Sequence, residues 1–264
     1  MKNMRADIFT KRRNNHLLFF FSLAILTVVS ALITQYDVLK GFSSIAKALI
    51  WGAGNFYPDL KSLRIVPDVL PKLWETVLMS IAATMVASVL ALALALAGSR
   101  RTRISSFCSF LSRGLASLFR NIPLVAWAMV LMIAFSQSSL TGYLALLFGS
   151  LGFLTRAFME TIDEVSNNSI EALQATGAGY CHIIFQAVLP ASLPQMVSWL
   201  LFMIETNIRD ATLVGVLTGT GIGFSFDLYY KRFDYHAASL VVVFIVITVI
   251  LIEVISNKIR RVIL

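Results

Sequence analysis

The chain has 264 residues, of which 58% are hydrophobic and only 14% are charged, where a soluble domain carries about a quarter charged residues. Its formal net charge is +8, but the basic residues gather beside apolar blocks instead of along one polar face, which argues against nucleic acid as a partner and for a membrane as the surroundings. Residues 76–99, 121–155, 183–204 and 235–252 contain no Asp, Glu, Lys or Arg; uncharged runs of about 18 residues or more mark membrane helices, whereas a β-barrel would alternate over segments of about ten.

At the N-terminus, Lys11, Arg12 and Arg13 precede an apolar run from Leu17 to Ile33. Ser30-Ala31-Leu32 offers no clear small-x-small cleavage site, so a retained first span over 17–35 is favoured over a cleaved signal peptide. Loop 36–73 is rich in turn formers (Asn55, Pro58 and Asp59; Pro67, Asp68 and Pro71) and is expected to hold a short interfacial helix near 42–51. Two readings of it stay open: contact with a secreted binding protein, or a plain surface connection.

Further spans are expected near 74–98, 114–135, 139–159, 192–216 and 236–256, which makes an all-α polytopic bundle of about six transmembrane helices. Arg120-Asn121-Ile122-Pro123 is expected to open the third, with Asn121 as its cap and Pro123 in the first turn, where a missing N–H costs nothing. Arg120 reads as an interfacial anchor or as a gate residue. Gly142, Gly149 and Gly152 give the fourth helix a surface that others can approach closely. The basic N-terminus, the loop bearing Arg100, Arg101, Arg103 and Arg113, and the C-terminal Lys258, Arg260 and Arg261 fall on one side if there are six spans. The positive-inside rule makes that side, and both termini, cytoplasmic.

The 171–190 loop then lies on the cytoplasmic side as well. Asn168 with Glu171 can cap a helix start, Gly177 can end that helix in a left-handed turn, and a second short helix is expected from about Tyr180 until Pro190 stops it. Two short helices with a glycine elbow at a membrane surface make a knob for a soluble partner.

In the fifth span, Glu205, Asn207, Arg209 and Asp210 interrupt an apolar run. Charges at such depth face a bundle interior or a water-filled path. Glu205 and Arg209 are four apart and can pair on one face. Arg209 could line a path for an anion, or the pair could only fix helix packing. Gly219, Gly221 and Gly223 follow this helix with the wrong spacing for a nucleotide fingerprint and suit a tight reversal or close backbone packing. His16, His182 and His236 are scattered, Cys108 and Cys181 form no redox or ligand motif, and no nucleophile–base arrangement is evident. No metal site and no catalytic residue are expected.

The 171–190 stretch resembles the EAA loop of ABC importer permeases. Glu171, Ala172, Gly177, Leu189 and Pro190 match its pattern, while Leu173 stands in place of the second Ala and Ala187 in place of Ile. Phe119-Arg120-Asn121-Ile122-Pro123, the run Ile204–Gly215 with its Glu-x-Asn-Ile-Arg-x-Ala-Thr core, and Gly221-Ile222-Gly223 followed by Phe233 resemble phosphonate-type members of that family. Thr218 and Thr220 depart from it, standing where glycine is usual. The resemblance implies a type I ABC importer permease fold in a bacterial inner membrane. It implies a second permease copy, two ATPase subunits that hold ATP and Mg, and a periplasmic binding protein. Residues 1–69 would form a tail, first span and periplasmic loop, and 70–264 the permease core with a coupling loop over 160–190. The chain has no Walker motif, so it holds no cofactor and is no enzyme on this reading. A methionine-type amino-acid permease and, more remotely, a stand-alone secondary carrier are the alternatives; the latter expects repeated halves, and no repeat is visible.

Overall fold

Helix is the only regular structure among the described residues, as lipid requires: without water, each backbone N–H and C=O must bond within its own segment. The computed structural model describes residues 2–103, 105–164, 172–173 and 175–263. It divides into two units, Met1–Phe56 and Tyr57–Leu264.

In the first unit, α1 (Lys2–Ile33) contains the apolar stretch Arg12–Ile33. Helix α2 (Val38–Asn55) starts where the Asp37 carboxylate accepts the Lys40 N–H at 3.0 Å. It is longer at both ends than the expected 42–51, because this cap and the Phe56 N–H bonded to the Gly52 carbonyl secure both termini.

The second unit opens with Asp59, whose carboxylate accepts from the Ser62 hydroxyl and N–H. Those bonds hold its pKa below the ordinary carboxylate value. A 3₁₀ turn (Ser62–Ile65) leads into α3 (Val66–Gly98). Along α3, Ala83, Ala87, Ala91 and Ala95 are fully buried. Spaced by four, they form one stripe on which α6 (Ser139–Glu164) can pack closely. Leu146, Leu154 and Ile162 of α6 are likewise fully enclosed, and α6 is the central helix, touching α3, α4 (Ser106–Asn121), α5 (Leu124–Phe135) and α8 (Leu189–Thr218).

The third span departs from the expectation of one helix over 114–135. Ile122 is extended (ψ 120°), α4 and α5 meet at 93°, and α4 begins at Ser106, capped by the Ser105 hydroxyl. Proline disfavours helical backbone at the residue before it, so Pro123 breaks the run at Ile122. Asn121 therefore ends α4 and does not cap a new helix; Pro123 itself precedes α5. Among the described residues five helices are long and apolar enough to cross a membrane, and six if the bent pair counts as one span.

A second difference concerns Pro190. The short helix α7 (Tyr180–Ile183) is not stopped there; it passes through a π turn (Ile184–Val188) into α8. Proline cannot donate and its ring crowds the carbonyl four residues back. The wider i→i+5 register, seen in the Leu189 N–H bonded to the Ile184 carbonyl, lets the helix continue past it. Beyond α8, Gly219 (φ 69°) reverses the chain into α9 (Gly221–Lys231), and α10 (Tyr235–Ile263) closes the unit.

Candidate functional site

At the end of the bundle where α3 and α6 terminate, the chain builds the knob. Ala172, Leu173 and 175–180 are described; Glu171 and Asn168 lie outside the described residues. Gly177 takes φ 78°, and the Ala178 N–H bonds the Leu173 carbonyl at 3.1 Å. This is the Schellman closure, in which a left-handed residue lets the chain fold back over the last helical turn. A Cβ at Gly177 would meet nothing within 4 Å, so only its backbone angle calls for glycine. Ala172, Ala175, Thr176 and Gly177 are exposed. Leu189 is partly buried and Pro190 exposed in the first turn of α8.

The knob is tied to the rest of that end. The Tyr180 hydroxyl donates to the Thr102 carbonyl at 2.6 Å. Asp163, near the end of α6, accepts from the Ser99 hydroxyl at 2.6 Å and the Arg100 N–H at 2.8 Å. The turn after α3 is therefore bonded both to the knob, at Thr102, and to α6, at Ser99 and Arg100.

Deeper in the bundle, Glu205 and Arg209 pair at 2.7 Å on α8. Glu205 is buried and has a second cation, Arg260 of α10, at 3.4 Å. Its carboxylate is thus bracketed by two guanidinium groups, while about half of the Arg209 side chain stays exposed. Asp210 is half-buried. Asn207 points elsewhere: 1% exposed, its amide donates to Thr84 Oγ1 at 2.7 Å on α3 and to Ser150 Oγ at 2.6 Å on α6. Ser80 also donates to the Asn207 carbonyl at 3.2 Å. The side chain therefore joins three helices where no water would satisfy it.

At the opposite end, Gly221 (φ 57°) sits where a Cβ would overlap Thr76 Oγ1, and that hydroxyl accepts the Ile222 N–H at 2.8 Å. A Cβ on Gly223 would overlap the Thr212 carbonyl oxygen, so α9 lies backbone to backbone on α8. Thr218 and Thr220 bond each other at 2.9 Å inside this reversal. Arg120, exposed in the last turn of α4, rests by its backbone against Gly152 of α6.

Sequence reasoning missed the partners in these clusters. Thr76, Ser80 and Thr84 recur every four residues on α3, a readable hydroxyl stripe, but nothing local points to Ile222 and Asn207 as its counterparts, to Ser150 as the second acceptor of Asn207, to Asp163 as the acceptor of Ser99, or to Arg260 as the partner of Glu205. Among the described residues no group of three His, Cys, Asp or Glu side chains could hold a metal.

Comparison with known proteins gives a consistent result. The sequence model for the family of binding-protein-dependent transport system inner membrane components matches residues 87–263. A phosphite transport system permease of Stutzerimonas stutzeri is 29% identical over 231 residues, covering 87% of this chain and 82% of the relative. A phosphate-import permease of Mycolicibacterium smegmatis is 26% identical over 203 residues, covering 77% of this chain but 38% of the relative. Among solved structures, an inward-facing form of the MetNI methionine ABC transporter superposes with a TM-score of 0.66 at 24% identity, over 74% of this chain and 96% of that one, a likeness of fold.

Proposed function

We propose, on the premise that the chain belongs to the family of binding-protein-dependent transport system inner membrane components, that it forms the pathway of an ATP-driven importer for phosphonate or a related small phosphorus oxyanion. The observation that carries the mechanism is the Schellman closure at Gly177, exposed and followed by Tyr180, whose hydroxyl bonds Thr102 in the turn after α3. The relatives named for phosphite and phosphate import support the substrate class.

Two copies would enclose the pathway, with an ATPase beneath each knob and a periplasmic binding protein above. ATP and Mg belong to the ATPase, and this chain contributes no catalytic residue. The knob and both termini would face the cytoplasm, residues 1–69 would form the tail, first span and periplasmic loop, and 70–264 the core. ATPase closure would push the Glu171–Gly177 elbow. The bonds from Tyr180 and Asp163 would pass that push to α3 and α6, favouring one of two bundle packings. Arg209, half exposed on α8 and already charge-paired, would present a guanidinium edge to a passing anion without an isolated charge in lipid.

The test is uptake by proteoliposomes holding this chain with its ATPase and binding protein. The expected result is ATP-dependent accumulation of methylphosphonate or phosphite, with methionine excluded. ATP-dependent accumulation of methionine alone would overturn the substrate class and leave the transport reading standing.

A further inference from the structure

Between α4 and α6, at the end of the bundle that carries the knob, lies a cavity of about 350 Å³. Three arginines line it, Arg113, Arg120 and Arg156, together with Ser117 and Asn121. It exists because Gly152 lets two helices touch. A Cβ there would stand 2.5 Å from the Arg120 amide nitrogen and 2.9 Å from Phe119 Cβ, so the last turn of α4 lies directly on α6. Arg156 follows Gly152 by one helical turn and shares its face, opposite Arg120 and Asn121.

Three like charges around one cavity repel; two of them have a carboxylate partner outside the cavity and the third has none. Arg156 meets Glu160 at 2.6 Å, both well exposed. Arg113 donates Nε to the Gly98 carbonyl at 3.0 Å and reaches Asp163 only at 3.8 Å. Asp163 is already engaged by Ser99 and Arg100. The Arg120 side chain has no ion-pair or hydrogen-bond partner among the described residues, and no carboxylate lines the cavity. Guanidinium forks match tetrahedral oxyanions bidentately, and Ser117 and Asn121 add neutral donors.

We infer that this cavity is a binding site for a small phosphorus oxyanion. It serves as an exit station, holding the anion after the pathway opens inward; this role rests on the transport reading above. The phosphate of an anionic lipid headgroup has the same chemistry, and the experiment separates the two sources.

The assembled permease–ATPase complex, carrying Cys108→Ser, Cys181→Ser and Ser117→Cys, is placed in nanodiscs of phosphatidylcholine or of phosphatidylglycerol. The rates at which anionic and cationic methanethiosulfonate reagents label position 117 are measured. In phosphatidylcholine the anionic reagent is expected to react about tenfold faster than the cationic one, because the arginines concentrate it. Methylphosphonate is expected to slow that labelling. Adding Arg120→Gln and Arg156→Gln should remove both effects, while an Arg232→Cys reporter at the far end shows neither. Equal rates for both reagents and no protection by methylphosphonate or phosphatidylglycerol would overturn the inference, with no need of the arginine variants. Protection by phosphatidylglycerol alone keeps the phosphate site and overturns the exit role. Uptake of methylphosphonate without protection would sink this inference alone; protection without uptake would sink the transport reading and leave the site.

Discussion

Gly177→Val is expected to abolish coupled transport while leaving the protein folded and inserted. The knob turns on one residue at φ 78° with open space around it. The expected series is therefore set by backbone preference alone. Asparagine visits the left-handed region readily, alanine at a cost of about 1–2 kcal/mol, and a β-branched residue at more. Transport and ATPase stimulation should fall in the order Gly, Asn, Ala, Val, with the last at least tenfold down. Losing the turn would release the Ala178–Leu173 bond and misdirect the exposed residues before Gly177. Glu171→Ala is expected to give the same uncoupled state, since the resemblance implies that this carboxylate pairs with a basic residue of the ATPase. Uptake and ATPase rates across the five proteins, with protein amounts normalised, check this. Equal coupling in Gly177→Val would show that the elbow transmits nothing.

Gly223→Ala should do the reverse, destroying the bundle before any question of coupling arises. Its Cβ would overlap the Thr212 carbonyl oxygen and stand 2.8 Å from the Val216 amide nitrogen, both backbone atoms that no rotamer change can move. Overpacking costs about 1–3 kcal/mol where side chains can adjust; here α9 must lift off α8, so the upper end or beyond is expected. Gly114→Ala makes the same chemical change in the middle of α4, where a Cβ meets nothing within 4 Å. It should stabilise by up to about 1 kcal/mol, since glycine in a helix interior costs that much relative to alanine. Thermal unfolding of the two detergent-solubilised variants beside the parent reads both signs. A Gly223→Ala protein as stable as the parent would mean that α8 and α9 are not in backbone contact.

The spans were legible because lipid allows few solutions: an uncharged run such as 235–252 has to be a helix. The Glu205–Arg209 pair was legible from a spacing of four, and the Gly177 turn from helix-end chemistry. Both are local. The break at Ile122 was not, although Pro123 stands in plain view, because proline suits a first helical turn as well as a helix break, and the uncharged block runs through both. Pro190 misled in the other direction, since a π turn absorbed it. The clusters stayed hidden for a different reason. Asn207 with Thr84 and Ser150, Glu205 with Arg260, and Arg120 with Arg156 are separated by 36 to 123 positions and meet only through helix packing. Glycine and alanine surfaces set that packing: Gly152 under α4, and Ala83 through Ala95 against α6. Their small size was readable, but not which helix would arrive.

Cross-linking in membranes would show whether the knob docks on an ATPase at the cytoplasmic end. With Cys108→Ser and Cys181→Ser in place, Ala175→Cys reports on the knob and Arg232→Cys on the opposite end; both positions are exposed. A thiol cross-link from position 175 to the ATPase subunit is expected, strengthened or weakened by ATP, and none from position 232. A cross-link from position 232 with none from 175 would contradict it, placing the ATPase at the wrong end of the bundle and the knob outside the cell's interior.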